Sequence, residues 1–218
     1  MLVKKWMTKD VVTVDVHDSL SDAIELLKRN KIRRLPVLDG NKLVGIVTDR
    51  DLKEASPSKV TSLDIWEIHY LISKIKIKDI YKKDPITISD EATIEKAAML
   101  MHDNKIGGLP VVDGNGSLVG IITEHDVFGA LIRVTGARVT PSYRVSMCVK
   151  DVEGAISEIC DIVRNYPHKC ISILNTYYEV REGMREIIVR FQMNAEDKEK
   201  VVEKFKEKYE NVHLIEEL

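Results

Sequence analysis

The feature that most constrains this chain is an internal duplication. The segment LPVLDG at 35–40 returns as LPVVDG at 109–114, LVGIVTDRD at 43–51 as LVGIITEHD at 118–126, and KDVVTV at 9–14 as KDPITI at 83–88. The offset is 74 residues and grows by one at Gly116, with roughly 20 of some 50 aligned positions identical. A fixed period means that one supersecondary unit is built twice. A unit of about 50 residues buries only a modest core alone, so the two copies are expected to pack together.

Each copy reads as β-α-β-β-α. A short β-rich start (VVTV or ITI) precedes an apolar-periodic stretch, Leu20 to Leu27 or Ile94 to Met101, that suits a helix. Two strands follow, joined by Asp39-Gly40-Asn41 in the first copy and Asp113-Gly114-Asn115-Gly116 in the second. TDRDL and TEHDV then open another helix. Between the copies Ser56-Pro57-Ser58 breaks the chain, and Leu63, Trp66 and Tyr70 recur at helical spacing with Ile65, Ile68 and Ile72 nearby. That connecting helix is apolar on more than one side, which suits core and dimer packing better than ligand stacking by Trp66.

Past Thr135-Gly136 and Thr140-Pro141 the plan changes. Tyr143 to Val149 reads as a strand, Gly154 to Val163 as a helix, Cys170 to Val180 and Glu186 to Met193 as strands around Glu182-Gly183, Glu196 to Tyr209 as a helix and Val212 to Ile215 as a last strand. The order is βαββαβ, a ferredoxin-like arrangement, and the fold class is α+β. The expected divisions are 1–55 and 77–135 for the two copies, 56–76 for the connecting helix, 136–141 for a linker and 142–218 for the C-terminal domain.

Charge and composition narrow the functions. Lys and Arg number 33 against 35 Asp and Glu, a net charge of −2, interspersed rather than clustered, which disfavours a nucleic-acid binder. No run approaches the roughly 18 apolar residues of a membrane span, and the N-terminal MLVKKWMTKD lacks a secretory core. The three cysteines, Cys148, Cys160 and Cys170, form no CxxC pair and fall in apolar patterns, as buried structural thiols of a reducing, cytoplasmic protein would. The six histidines (17, 69, 102, 125, 168, 213) form no metal-ligand spacing, and no GxSxG elbow, Walker loop or GxGxxG follows a strand. The reading is therefore a protein with no metal, no obligatory cofactor and no catalytic set.

The sharpest local signal is Thr48-Asp-Arg-Asp51, repeated as Thr123-Glu-His-Asp126, each ending a buried strand at a helix start. Thr-x-x-Asp can act as a capping box, the hydroxyl accepting from backbone and the carboxylate favoured by the helix dipole. The same geometry can serve a nucleotide: a helix N-terminus presents donors and positive potential to phosphate, and a carboxylate can accept from both ribose hydroxyls.

The duplicated unit, with its LPVxD turn and its strand-to-helix Thr-x-x-Asp junction, resembles a tandem pair of cystathionine-β-synthase (CBS) domains, the Bateman module, over about 125 residues. The resemblance implies an adenosine-containing ligand, AMP, ADP, ATP or S-adenosylmethionine, between the paired units. It further implies that Asp51 and Asp126 hold ribose, that Thr48 and Thr123 lie by the phosphate, and that the backbone and side chains around Thr13, Val14, Leu35 and Pro36, and around Thr87, Ile88, Leu109 and Pro110, wall the adenine. The copies differ where phosphate would notice, Arg33-Arg34 in the first standing opposite Gly107-Gly108 in the second. A first site lined by Arg33, Arg34 and Arg50 would accept more phosphate charge than a second relying on His125 and the backbone at Gly108, unless the arginines are simply surface.

The C-terminal segment is similar to an ACT domain, with Asp151-Val-Glu-Gly154 at its first strand-to-helix turn. ACT domains often carry Pro where this chain has Glu153. The resemblance implies amino-acid binding near Asp151 and Gly154, or a pairing role; the glycine is equally explained by a tight turn. Two CBS domains and an ACT-like domain resemble the acetoin-utilisation B type of protein. The sequence thus suggests a non-catalytic regulatory homodimer that senses an adenosyl ligand and signals to its ACT-like domain, to the dimer or to an unidentified protein partner, with no nucleic-acid or membrane partner. The alternative is an amino-acid sensor in which the CBS pair is a dimerisation scaffold.

Overall fold

The computed structural model describes residues 1–56 and 65–217. The chain divides into two compact units, Met1–Phe128 and Gly129–Leu218. In the first unit the duplicated sequence makes duplicated structure. Copy one comprises β1 (Val14–Asp15), α1 (Leu20–Asn30), β2 (Arg34–Asp39), β3 (Lys42–Thr48) and α2 (Asp49–Ala55); α3 (Ile65–Lys74) follows. Copy two comprises β4 (Lys82–Lys83), β5 (Ile88–Ser89), α4 (Ile94–Asn104), β6 (Gly108–Val112), β7 (Leu118–Thr123) and α5 (Glu124–Thr135).

Local chemistry explains these boundaries. Ser19 Oγ accepts from the Asp22 amide while Asp22 Oδ2 accepts from the Ser19 amide, a reciprocal cap that starts α1. Leu20, Ala23 and Leu27 then form its buried stripe, as Ile94, Ala97 and Met101 do on α4 behind the Thr93 cap. Both helices stop at a lysine in the left-handed region, Lys31 and Lys105, each at φ 53°. The β2–β3 hairpin turns at Gly40, whose φ of 59° suits a residue without Cβ.

The two sheets, β1-β2-β3-β4 and β5-β6-β7, repeat one register. Val14 lies opposite Val37 and Leu35 opposite Val47 in one; Ile88 opposite Val111 and Leu109 opposite Ile122 in the other. Even the register shift is duplicated, between Val37 and Leu38 and between Val111 and Val112.

The copies exchange their leading residues. Thr8 bridges Ile121 in β7, and in return β4 pairs with β3, Lys82 opposite Ile46. The Val3 amide donates to Ala92 O at 2.8 Å, while the Ile77 amide donates to Asp18 O at 3.0 Å. Fully buried Ile77 joins Val14, Leu20, Leu35 and Leu52 in the core of copy one. The start of each copy therefore lies on the other copy's last strand.

On α3, Ile72 packs against that core, whereas Tyr70 is 63% exposed with Lys74 Nζ 5.1 Å from its ring centroid, so Tyr70 is not a core residue. The expectations for Pro57, Ser58 and Leu63, and for the side chains of Ile65, Trp66 and Ile68, fall outside the described residues.

The second unit contains β8 (Ser142–Lys150), α6 (Ala155–Arg164), β9 (Lys169–Thr176), β10 (Met184–Gln192), α7 (Ala195–Lys208) and β11 (Glu210–Glu217). All pairings are antiparallel, in the order β11-β8-β10-β9. Tyr143, Val145, Met147 and Val149 alternate along one face of β8 and pack with Ile159 of α6 and Phe205 of α7, so both helices cover the same face. A fully buried side chain such as Phe205 contributes about 1.5–3 kcal/mol. The last turns of α5 group with this unit because Ser172 Oγ donates to Thr135 O at 2.9 Å. A Cβ on Gly136 would meet Ile171 Cγ2 at 2.2 Å, so the chain after α5 lies against β9 where the sequence suggests a linker over 136–141.

Candidate functional site

Both Thr-x-x-Asp junctions form at the end of a buried strand, and they differ in one oxygen. In copy one the Thr48 amide and hydroxyl donate to Asp51 Oδ2 at 2.8 and 2.5 Å, capping α2. In copy two the Thr123 amide and hydroxyl donate to Asp126 Oδ2 at 2.8 and 2.7 Å. Copy one also has the reverse bond, from the Asp51 amide to the Thr48 hydroxyl, which completes its capping box. The remaining oxygen of Asp51 is bonded by Lys82 Nζ at 2.8 Å, and Asp51 is 8% exposed. The remaining oxygen of Asp126, a half-buried residue, has no hydrogen bond or ion pair among the described residues.

Burial pushes the Asp51 carboxyl up, but hydrogen bonds from Lys82 and Thr48, and the Lys82 charge, outweigh it and hold the group below the usual carboxylate range. Asp51 is accordingly an ionised, satisfied carboxylate.

Asp126 opens onto a cavity of about 560 Å³. Its walls are Thr8, Asp10, Val11 and Val12 ahead of β1; Lys31 to Arg33 after α1 and Arg34 at the start of β2; and Gly107, Ile121 and Thr123 to Asp126 from copy two. The exchange of leading segments brings these stretches together. The volume lies in the range of small-molecule sites, about 300–1,000 Å³. Lys31, Arg33, Arg34 and His125 share its lining with Asp10, Glu124 and Asp126. The apolar surfaces of Val11, Val12, Ile32 and Ile121 can receive a planar ring, and the polar groups can fix a sugar and an anion.

Arg34 ties the copies together. Its backbone pairs with Thr48 of its own copy, but its guanidinium crosses to copy two and lies on the glycines. A Cβ on Gly108 would meet Arg34 Nη1 at 1.8 Å and one on Gly107 would meet Nη2 at 2.7 Å. The Arg-Arg and Gly-Gly pairs that distinguish the copies are therefore two sides of one contact. Nη1 is buried without a hydrogen-bond partner. Burial pushes the guanidinium pKa down while Glu124 opposes the fall, and an arginine remains cationic.

The placement of the expected residues differs from the sequence reading in its grouping. Arg33 and Arg34 line the cavity with Thr123, His125 and Asp126 instead of a site at Thr48 and Asp51, because the arginine side chain crosses the copy boundary. Exposed Arg50 is not among the cavity residues. Val14, Leu35, Ile88 and Leu109 are core side chains, at most 5% exposed, and Pro36, Gly108 and Pro110 are buried in the paired strands β2 and β6. Thr13 and Thr87 are half-buried just ahead of β1 and β5, and the cavity is walled instead by Val11, Val12 and Ile32. Thr8, Asp10, Lys31, Ile121 and Glu124 also escaped the sequence reading. Their signal was present only as register: Thr8 precedes the repeated KD dipeptide, and Lys31 marks the helix end.

In the second unit, Asp151 and Gly154 border an open cavity of about 400 Å³ with Val152, Glu153, Ile156, Ser157 and Arg185. Gly154, at φ 84°, precedes α6 without a side-chain cap. Arg185 Nε stands 3.5 Å from Asp151 Oδ1 and lacks a hydrogen bond of good geometry; Tyr177 Oη donates to the same oxygen at 3.4 Å. Among the described residues no group of three His, Cys, Asp or Glu side chains is placed to hold a metal, and no helix is long and apolar enough to cross a membrane.

The geometry has counterparts in known proteins. A CBS domain-containing protein from Dictyostelium discoideum is 38% identical over 135 residues, 62% of this chain and 93% of that protein. An inosine-5'-monophosphate dehydrogenase from Korarchaeum cryptofilum is 38% identical over 125 residues, 57% of this chain but 23% of the enzyme. Among solved structures, CBSX2 of Arabidopsis thaliana in complex with AMP is 35% identical with a TM-score of 0.50, covering 61% of this chain and 97% of that one. The CBS domain pair of protein MJ0100 in complex with 5'-methylthioadenosine and S-adenosyl-L-methionine is 29% identical with a TM-score of 0.50, covering 60% and 99%. A protein from Vibrio cholerae assigned to acetoin utilization (AcuB) is 31% identical with a TM-score of 0.52, covering 63% and 95%. The model of the CBS domain matches residues 3–58 and 77–133, more than half of the sequence and both copies, and this chain belongs to the CBS-domain family.

Proposed function

We propose that this protein is a non-catalytic regulator that binds an adenosine-containing ligand, AMP, ADP, ATP or S-adenosylmethionine, in the cleft of its CBS pair at Asp126. The observation that carries the reading is the 560 Å³ cavity lined by Asp126, which keeps an oxygen for a ribose diol, and by a lysine, two arginines and a histidine. Guanidinium groups take phosphate oxygens two at a time, and the helix start adds backbone donors. The AMP held by CBSX2 and the two adenosyl compounds held by the MJ0100 pair support the ligand class.

Ligand binding regulates only if one arrangement of the protein binds better than another. We read the C-terminal unit as a ferredoxin-like, ACT-type domain, a reading favoured by its β11-β8-β10-β9 order with both helices on one face. The response passes to that domain, to a homodimer or to a partner protein of the cytoplasm. The cavity at Asp151, Gly154 and Arg185 favours a second reading, an amino acid sensed through its carboxylate. Calorimetry with AMP, ADP, ATP and S-adenosylmethionine, and separately with the common amino acids, tests both. Binding of an adenosyl ligand that Asp126→Asn weakens at least tenfold is expected. Heat with an amino acid and with none of the adenosyl ligands would replace the first reading by the second.

A further inference from the structure

We infer that the first of the two duplicated clefts is closed by the chain itself, Lys82 occupying the Asp51 oxygen that a ribose would need, so that each chain takes one ligand, at Asp126. This rests on the nucleotide reading above and names the residue that decides which copy binds. Lys82 and Thr8 are equivalent positions, one residue ahead of the repeated KD dipeptide. Each sits on the other copy's last strand, Lys82 opposite Ile46 and Thr8 opposite Ile121. They therefore approach equivalent carboxylates, and their chemistry differs.

Lys82 brings an ammonium to 2.8 Å from Asp51 Oδ1, while Thr8 lines the open cavity and leaves Asp126 Oδ1 free. A ribose hydroxyl competing at Asp51 would displace a charge-assisted bond to a carboxylate that is 8% exposed, exchanging a stronger interaction for a weaker one. At Asp126 no such exchange is needed. The Lys82 side chain is 68% exposed, so the latch is built on a residue whose substitution leaves the core untouched.

The experiment is AMP titration by calorimetry of the full chain and of Lys82→Thr and Thr8→Lys, with thermal melts to establish folding. The wild type should bind one AMP per chain, Lys82→Thr two, and Thr8→Lys should lose at least tenfold in affinity by setting a cation on Asp126. Should Lys82→Thr not fold, Lys82→Met keeps the aliphatic stem and is expected to show the second site. Two sites in the wild type, one site in a folded Lys82 variant, or unaltered binding by Thr8→Lys would overturn the latch and leave the nucleotide reading standing. Absence of AMP, ADP, ATP and S-adenosylmethionine binding in wild type and in the Lys82 variants would remove both.

Discussion

Replacing Gly108 by alanine tests the contact through which the two copies meet. The added methyl would meet Arg34 Nη1 at 1.8 Å, Arg34 Cζ at 3.0 Å and the Ile122 carbonyl oxygen at 2.9 Å. The guanidinium ends a flexible side chain and can swing away; the carbonyl is backbone of β7 and yields less. Overpacking of this kind costs about 1–3 kcal/mol. Part of it is offset because Nη1, buried without a partner, regains water when displaced. We expect a net loss of about 1–2 kcal/mol, which lowers the melting temperature of a chain this size by about 2–8 °C. Thermal unfolding followed by circular dichroism on wild type, Gly108→Ala, Arg34→Ala and the double variant closes a cycle. Removing Arg34 first leaves only the Ile122 contact, so the double variant should recover about 1 kcal/mol relative to additivity. Displacing Arg34 should also weaken AMP binding about tenfold, the equivalent of about 1.4 kcal/mol. A double variant additive within about 0.5 kcal/mol would show that Arg34 does not fill the space above Gly108 and would refute the argument.

Two further outcomes follow from single residues. Lys105 ends α4 at φ 53°, a conformation that costs a side-chain-bearing residue more than it costs glycine, so Lys105→Gly should raise stability by about 0.5–1 kcal/mol in denaturant unfolding; a loss would show no strain there. The Asp51 carboxyl is held below its ordinary 3.8, so the Lys82 pair contributes fully above that pH and its contribution fades as pH falls through the lower folded-state value. Wild type should therefore exceed Lys82→Met in stability at neutral pH, and the difference should shrink below pH 3.8; a difference that grows in acid would contradict the pair.

The repeat, the β-α-β-β-α order of each copy and the βαββαβ order of the C-terminal unit could be read from residue patterns, because strand alternation, helical periodicity, caps and turns are local properties. Thr48 and Thr123 each had the carboxylate three residues on that a capping box requires, and Asp51 and Asp126 stood out because they recur. Val14, Leu35, Ile88 and Leu109 lie close to the motif along the chain, yet strand pairing turns them into the core, while Val11, Val12 and Ile32 reach the cavity.

What the sequence determined by itself was the presence of two copies with equal cap chemistry and unequal neighbours, Arg33-Arg34 against Gly107-Gly108. Only the tertiary structure decided what those inequalities mean. Cross-copy pairing of Thr8 with Ile121 and of Lys82 with Ile46 sets each leading segment beside the other copy's carboxylate, so an arginine of copy one serves the cleft of copy two and a lysine of copy two seals that of copy one. Contacts between residues far apart in the chain, such as Thr8 and Ile121, depend on how the sheets meet, and no local propensity encodes that.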